Sequence, residues 1–418
     1  MNRRNFLHTS AAGLSAFSWM TPMADALALN ATQSKSTRPK SVIILWLAGG
    51  PSQLETFDPH PGSSISYGTK SIPTAVKGMN LAAGLEQSAE VMNHVSLIRS
   101  VTSKEGDHER AFYNIKTGYR PNPTVVHPSI GSILCHQLPN PKIEIPSHIS
   151  ILPNQWPARG GYLGAQYDAF QMGDPKQPVP DVIPHASSQR QKQRRQGLSL
   201  IESSFAKGRL KQLDEQKTHH LQNMANARKL MQSDQLKAFD VSQAPKAERL
   251  AYGDTRFGRA CFAALRLVEA GVRCIEVTLS GWDSHANNHE SQGKRIQTLD
   301  PAFAALIKDL KRRDLLDSTT VLCGGEFGRT PQLNAAEGRD HWPKGFSMAI
   351  AGGGIQGGRI IGATDPSGEK EQPVNPVRVQ DIHATIQHQM GIDFEEELIT
   401  PVGRPIALSD GSLIEELL

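Results

Sequence analysis

Apolar residues run without a break from Val42 to Ala48 in SVIILWLAGG, at 41–50, and stop at two glycines. A continuous run of this length predicts a strand buried on both faces that leads directly into a loop. In a parallel sheet that loop lies at the edge where ligands bind. Further strands are predicted at VSLIRSV (95–101), VRCIEVTL (272–279), TTVLCGG (319–325) and FSMAIAG (346–352). Apolar positions at helical spacing predict helices starting near Arg110, over 127–138 with Pro128 in the first turn, around 255–270, from about 294 to 314, and over 379–392. This alternation predicts an α/β protein with an open, doubly wound, mostly parallel sheet and helices on both faces. No internal repeat is visible.

Two segments depart from the pattern. From about 186 to 250 the composition shifts to Gln, Lys, Arg and Glu, while Leu210, Leu213, Leu221, Met224 and Leu230 keep the spacing of one helical face. That predicts a helical insertion, either a solvated helix pair covering the core or a docking element for a partner. The N-terminus places Arg3 and Arg4 before Phe6 and Leu7, then a mildly apolar run, then Ala24, Ala26 and Ala28. This is the pattern of a twin-arginine signal, with cleavage near Ala26 or Ala28. The expected organisation is a signal peptide and linker at 1–38 and an α/β domain over 39–418. The export machinery then becomes a partner, and the destination is periplasmic, secreted or cell-surface.

Composition narrows the classes. No stretch of about 18 apolar residues offers a membrane span in the mature form. Hydrophobic residues at 38 % and 36 glycines suit a globular, loop-rich chain. A net charge of +4, from 45 basic and 41 acidic residues, is too balanced for nucleic acid as the main partner. Cys261, Cys274 and Cys323 sit in apolar segments and read as core, whereas Cys135 is available for a disulfide in an oxidising compartment.

Potential ligands concentrate after the expected strands. GWDSHANNH (281–289) places Asp283, His285 and His289 behind a buried strand, where carboxylate and imidazole suit a divalent cation; otherwise Asp283 caps a helix and the histidines are solvated. GGEFGRTPQLN (324–334) carries Glu326 and Arg329, and a Glu at the end of an apolar strand is costly to bury unless it meets a cation or an arginine. GRDHWPKG (338–345) sets Asp340 and His341 between Arg339 and Lys344, a grouping that suits further metal ligands and an anionic substrate. GGPSQLETFDPHPG (49–62) offers Ser52, Glu55 and Asp58; Ser52 is either a nucleophile or a turn residue, and no GxSxG elbow surrounds it. His108, in SKEGDHERAFYNIKTG, is a ligand, an acid/base group or a solvated residue.

Taken together, these segments resemble the bacterial family catalogued as domain of unknown function 1501, over nearly the whole mature chain. That family is grouped by fold with the alkaline phosphatase-like superfamily of sulfatases, phosphatases and phosphosugar mutases. The resemblance implies reaction at a phosphate or sulfate ester and one or two divalent metals. Asp283 with His285 looks like one ligand group, Glu326 stands where an Asp-His pair would be expected, and His341 looks like the late histidine. The early acidic ligand has no obvious counterpart, since Glu55 or Asp58 would have to reach back to the first strand. The sulfatase nucleophile pattern is echoed only by Arg110 and Thr117–Gly118, with Gly106 in the nucleophile's place and His108 the nearest reactive group. The resulting expectation is a metal-dependent hydrolase of a small anionic or polysaccharide ester, binding zinc, calcium, manganese or magnesium through Asp283, His285, Glu326 and His341. His108, Arg110 and Arg329 would be catalytic, and Ser52, Asp340 and Lys344 would contact substrate. The nucleophile is a histidine, a water or Ser52, or catalysis has been lost and the chain is an exported binding protein.

Overall fold

The computed structural model describes residues 40–418 except 180, 181, 183–185 and 207–219. The expected signal segment, and Leu210 and Leu213 of the expected helical face, lie outside the described residues. In chain order the main elements are β1 (Ser41–Ala48), β2 (Val95–Thr102), α1 (His108–Thr117), α2 (Ile130–Gln137), β3 (His148–Ile151), β4 (Phe170–Met172), α3 (Ser188–Ala206), α4 (His220–Gln232), α5 (Arg256–Glu269), β5 (Cys274–Ser280), α6 (Asn288–Arg312), β6 (Thr319–Gly324), β7 (Phe346–Ala351), β8 (Ile360–Ile361), β9 (Val377–Arg378) and α7 (Val379–Gln389).

β1 is buried along its whole length, as its unbroken apolar run requires, because neighbours cover both edges and helices cover both faces. It pairs in parallel with β5 on one side and β6 on the other. The sheet order is β8-β2-β7-β6-β1-β5-β3-β4, with β9 also on β2. Alternate side chains of β1 enter opposite cores. Ile43, Leu45 and Leu47 join Phe257, Phe262, Phe303 and Leu306 of α5 and α6. Val42, Ile44 and Trp46 join Phe112, Ile133 and Ile386 of α1, α2 and α7.

β7 runs antiparallel to both β2 and β6, whereas the other ladders of this sheet are parallel. The chain therefore enters β7 at the edge where the parallel strands end, which brings the residues just before it to that edge. Two strands, β3 and β4, have only four and three residues and were not expected from the apolar pattern. The helix expected over 127–138 begins later, because Ser129 is its N-cap, accepting from the Ser132 amide at 3.3 Å, so Pro128 precedes the cap instead of opening the first turn. All four cysteines are buried and free, so Cys135 makes no disulfide.

One ion pair is buried between α1 and β5. Lys116 Nζ lies 3.2 Å from Glu276 Oε2, and His148 Nε2 lies 3.8 Å from Glu276 Oε1. Burial works to raise the Glu276 carboxyl, but the Lys116 charge and the contacts with His148 draw it down to about 2. No helix among the described residues is long and apolar enough to cross a membrane.

Candidate metal centre

The loops after β1, β2, β5 and β6 and the approach to β7 meet at one edge of the sheet. Gly49, directly after β1, has φ +118°, and a Cβ there would lie 2.4 Å from the Asp283 amide nitrogen. Only glycine allows the first loop and the loop after β5 to approach so closely. Its amide donates to Glu326 Oε1 at 3.0 Å, tying the loop after β6 to the same point. The approach to β7 is laced by backbone to its neighbours: Arg339 N donates to Ser284 O at 3.0 Å, Asn288 N to Glu337 O at 2.8 Å, Ser103 N of the loop after β2 to Pro343 O at 2.8 Å, and Arg329 pairs with His341 in a short antiparallel ladder.

This lacing brings His108, Asp283, His285, Glu326, Arg329, Asp340 and His341 together. His108 Nδ1 lies 2.7 Å from Glu326 Oε1, and its Nε2 lies 3.3 Å from Asp283 Oδ2. His285 Nδ1 lies 2.8 Å from Asp340 Oδ1 and its Nε2 3.1 Å from Asp283 Oδ1. His341 Nδ1 is 2.7 Å from the Gly106 carbonyl, and its Nε2 is 3.5 Å from Asp283 Oδ1 and 3.0 Å from His285 Nε2. Ionised carboxylates and carbonyls only accept, so each Nδ1 donates; each Nε2 faces Asp283, which also only accepts, so these nitrogens either carry a proton toward Asp283 or, with a cation between them, turn a lone pair to it. Three Nε2 atoms thus converge around one carboxylate.

That donor set fits a divalent cation. Ligand atoms of His108, Asp283 and His341 all lie within 4.8 Å of one another. Tetrahedral ligands at zinc-like bond lengths stand about 3.4 Å apart, close to the separations around Asp283. Glu326 and Asp340 serve the imidazoles as orienting acceptors, an arrangement common behind metal-binding histidines. The Glu326 hydrogen bond raises the His108 pKa, while burial, aided by the Arg329 and His108 charges, lowers that of His341. Burial pushes the Asp283 carboxyl up, but Arg329 and the neighbouring histidines hold it below the usual carboxylate range.

Several residues expected at the site sit elsewhere or act differently. Glu326 is 1 % exposed and meets His108 and the Gly49 amide, not the Nε2 cluster. Arg329 is 0 % exposed and spends its guanidinium on the carbonyls of Gly49, Gly50 and Arg339 and on Asp283 Oδ1, so it cannot face a substrate. Arg110 turns to Glu105 at 2.7 Å. Lys344 pairs with Glu371 and lies over the Trp342 ring. Ser52 is 0 % exposed, with its Oγ unpartnered, so it reaches no substrate. Neither early acid reaches back: Glu55 pairs with Arg339, and Asp58 with Arg99 and Thr364. His289 contacts Glu55 at 3.4 Å and stands apart from the cluster.

Other contributors were not expected from sequence. Phe327 packs on His108 and His341 with ring centroids 5.0 and 4.3 Å away, and Trp156 stacks on His108 at 6.1 Å. Asn334 donates to the His285 carbonyl at 3.0 Å. Phe327 and Asn334 lie inside GGEFGRTPQLN, but nothing around Trp156 signals its place.

Fold and site thus define an open, mostly parallel α/β protein with a histidine-aspartate cluster at the carboxyl ends of its strands. The chain belongs to the family described as protein of unknown function (DUF1501), which matches residues 39–418. No curated protein matches it. Solved structures similar to it include Ps i-CgsB, at 10 % identity over 85 % of this chain and 72 % of that one, with a TM-score of 0.43. The PsFucS1 sulfatase from Pseudoalteromonas sp. is similar at 12 % identity over 88 % of this chain and 71 % of that one, TM-score 0.40. The lipoteichoic acid synthase LtaP from Listeria monocytogenes is similar at 10 % identity over 90 % and 75 %, TM-score 0.39.

Proposed function

We propose that this protein is an exported, metal-dependent hydrolase of phosphate or sulfate esters, using water and not a serine as nucleophile. The observation that carries the reading is the convergence of the His108, His285 and His341 Nε2 atoms on Asp283, with every Nδ1 already engaged. His108, Asp283, His285 and His341 would hold the ion, which when bound polarises ester oxygens and acidifies water. Arg329 keeps Asp283 ionised and aimed. Glu326 fixes the His108 ring, and Phe327 and Trp156 restrict its rotation while excluding water from one side. The Arg3-Arg4 segment supports twin-arginine export to the periplasm or cell surface. The family resemblance of the quoted motifs supports an ester substrate, small or polymeric.

The test is elemental analysis of the purified protein with Asp283→Ala and His341→Ala, followed by a screen of phosphate and sulfate esters. Near-stoichiometric zinc, calcium, manganese or magnesium in the parent, lost in both variants, together with turnover, is the expected result. A parent that takes up no metal on reconstitution would refute the reading. A second reading, a non-catalytic exported binding protein, draws support from Arg110, Arg329 and Lys344, which are all committed to partners within the protein. Bound metal without turnover on any ester would favour it.

A further inference from the structure

The helix that carries His108 also lines a separate cavity. Glu109, Phe112 and Lys116 of α1 form one wall of a space of about 280 Å³, which Gln155, Trp156 and Arg159 help to enclose. Trp156 belongs to both places: its indole stacks on His108 at 6.1 Å and 15°, and on Phe112 at 5.0 Å and 23°. Phe112 stands one helical turn beyond His108, a rise of about 6 Å. The cavity therefore begins about one small ring's length from the metal centre.

Its lining is of two kinds. Trp156 is the partly exposed aromatic surface, with Phe112, 1 % exposed, stacked against it, whereas Glu109, Gln155 and Arg159 are exposed polar groups. The buried Lys116 ammonium is already held by the Trp156 carbonyl at 2.9 Å and by Glu276. With that charge neutralised from within, the cavity has no strong preference for an anion. It suits a ligand with one apolar face for the aromatic wall and hydroxyls around its edge for the polar groups. A sugar ring has that form. The volume lies near the lower end of small-ligand sites, about 300 Å³, so one ring fits and a polymer would continue into solvent.

We propose that this cavity is the subsite for one pyranose ring of a carbohydrate whose phosphate or sulfate ester is presented to the Asp283 cluster. The assignment rests on the hydrolase reading. It makes Trp156 a specificity-determining residue, set between the reacting group and the sugar that bears it.

The experiment is calorimetric titration of the protein as isolated with unesterified di- to tetrasaccharides built from neutral hexoses, amino sugars or uronic acids. Trp156→Ala, Glu109→Gln and Gln155→Ala are titrated alongside, and metal content and ester turnover are read on the same samples. The expected result is binding of at least one saccharide class, weakened about tenfold or more in Trp156→Ala and severalfold in the two polar variants, with metal content kept in the two polar variants. No binding by the parent, or parent-like affinity in the variants, would overturn the subsite. If Trp156→Ala does not fold, Glu109→Gln and Gln155→Ala decide by the same criterion. Metal and turnover without saccharide binding would remove the subsite alone. Saccharide binding without metal would remove the hydrolase reading and, with it, the presentation of an ester.

Discussion

Arg329 donates to Asp283 Oδ1 at 2.6 Å from a side chain that has no solvent exposure, while Asp283 itself is 44 % exposed. The buried partner fixes the accessible one. The guanidinium sits among the carbonyls of Gly49, Gly50 and Arg339, so its position is set by the loops after β1 and β6 and not by Asp283. Arg329→Met should leave those carbonyls without a donor and cost about 2–4 kcal/mol of stability, measurable by denaturant unfolding. Metal affinity should fall as well. Arg329→Lys should not restore either property, because one ammonium cannot reach several diverging acceptors.

Ion binding should register as stability. A divalent cation held by the folded state and not by the unfolded chain contributes about 2.7 kcal/mol at a hundredfold excess over its Kd. Added zinc or manganese should therefore raise the melting temperature of the chelated parent and leave Asp283→Ala unmoved. Glu326→Gln should retain the response at about 10- to 100-fold higher metal concentration, since it keeps an acceptor for His108 Nδ1 but removes the charge behind it. An unchanged midpoint for Glu326→Gln would refute its orienting role.

Ser52→Ala separates a serine nucleophile from the alternatives. Its Oγ is buried and makes no hydrogen bond among the described residues, so the variant should keep turnover on whichever ester the screen identifies. Stability should change by less than about 1 kcal/mol. A loss of activity by orders of magnitude with metal retained would show that the loop opens during reaction.

The Lys116–Glu276 pair predicts an acid-side signature. Glu276 sits at about 2 in the folded protein against an ordinary 4.5, so its contribution to stability is complete above 4.5 and is lost as pH falls toward 2. Lys116→Met should cost about 3–5 kcal/mol at neutral pH by leaving a buried carboxylate uncompensated. The gap between parent and variant should narrow as pH falls from neutrality, because burial without Lys116 raises the Glu276 carboxyl of the variant and lets it take up a proton above pH 4.5, while the parent's stays ionised. Parallel pH profiles for the two proteins would contradict this.

What the sequence disclosed follows from what apolar runs encode. β1 is a continuous hydrophobic segment, and β2, β5, β6 and β7 are long enough and apolar enough, despite polar residues such as Arg99 and Glu276, to be legible as strands. β3 and β4 are too short to show a period, and His148 and Ser150 interrupt β3 with polar residues whose burial depends on distant neighbours. The strand-end loops marked Asp283, His285, Glu326 and His341 as chemistry-bearing because such residues are expensive there without partners. Which of them faces which was not legible. Glu326 turns to His108, 218 positions away, and Arg329 turns inward because glycines at 49 and 50 expose two carbonyls to it. Arg110 and Lys344 are claimed by Glu105 and Glu371, pairings that local spacing does not advertise.

The short ladder of Gly328–Arg329 with His341–Trp342 acts as a clasp at the base of the 330–340 segment. Because Arg329 and His341 are fastened at the neck, the tip of that segment can change length without moving either of them. Asp340 and Asn334 lie beyond the neck, and of the four clustered residues Asp283, His108, His285 and His341 their side chains contact His285. Remodelling the tip would therefore retune one imidazole while leaving His108, His341 and Asp283 where they are, giving the scaffold a single adjustable corner on an otherwise fixed cluster.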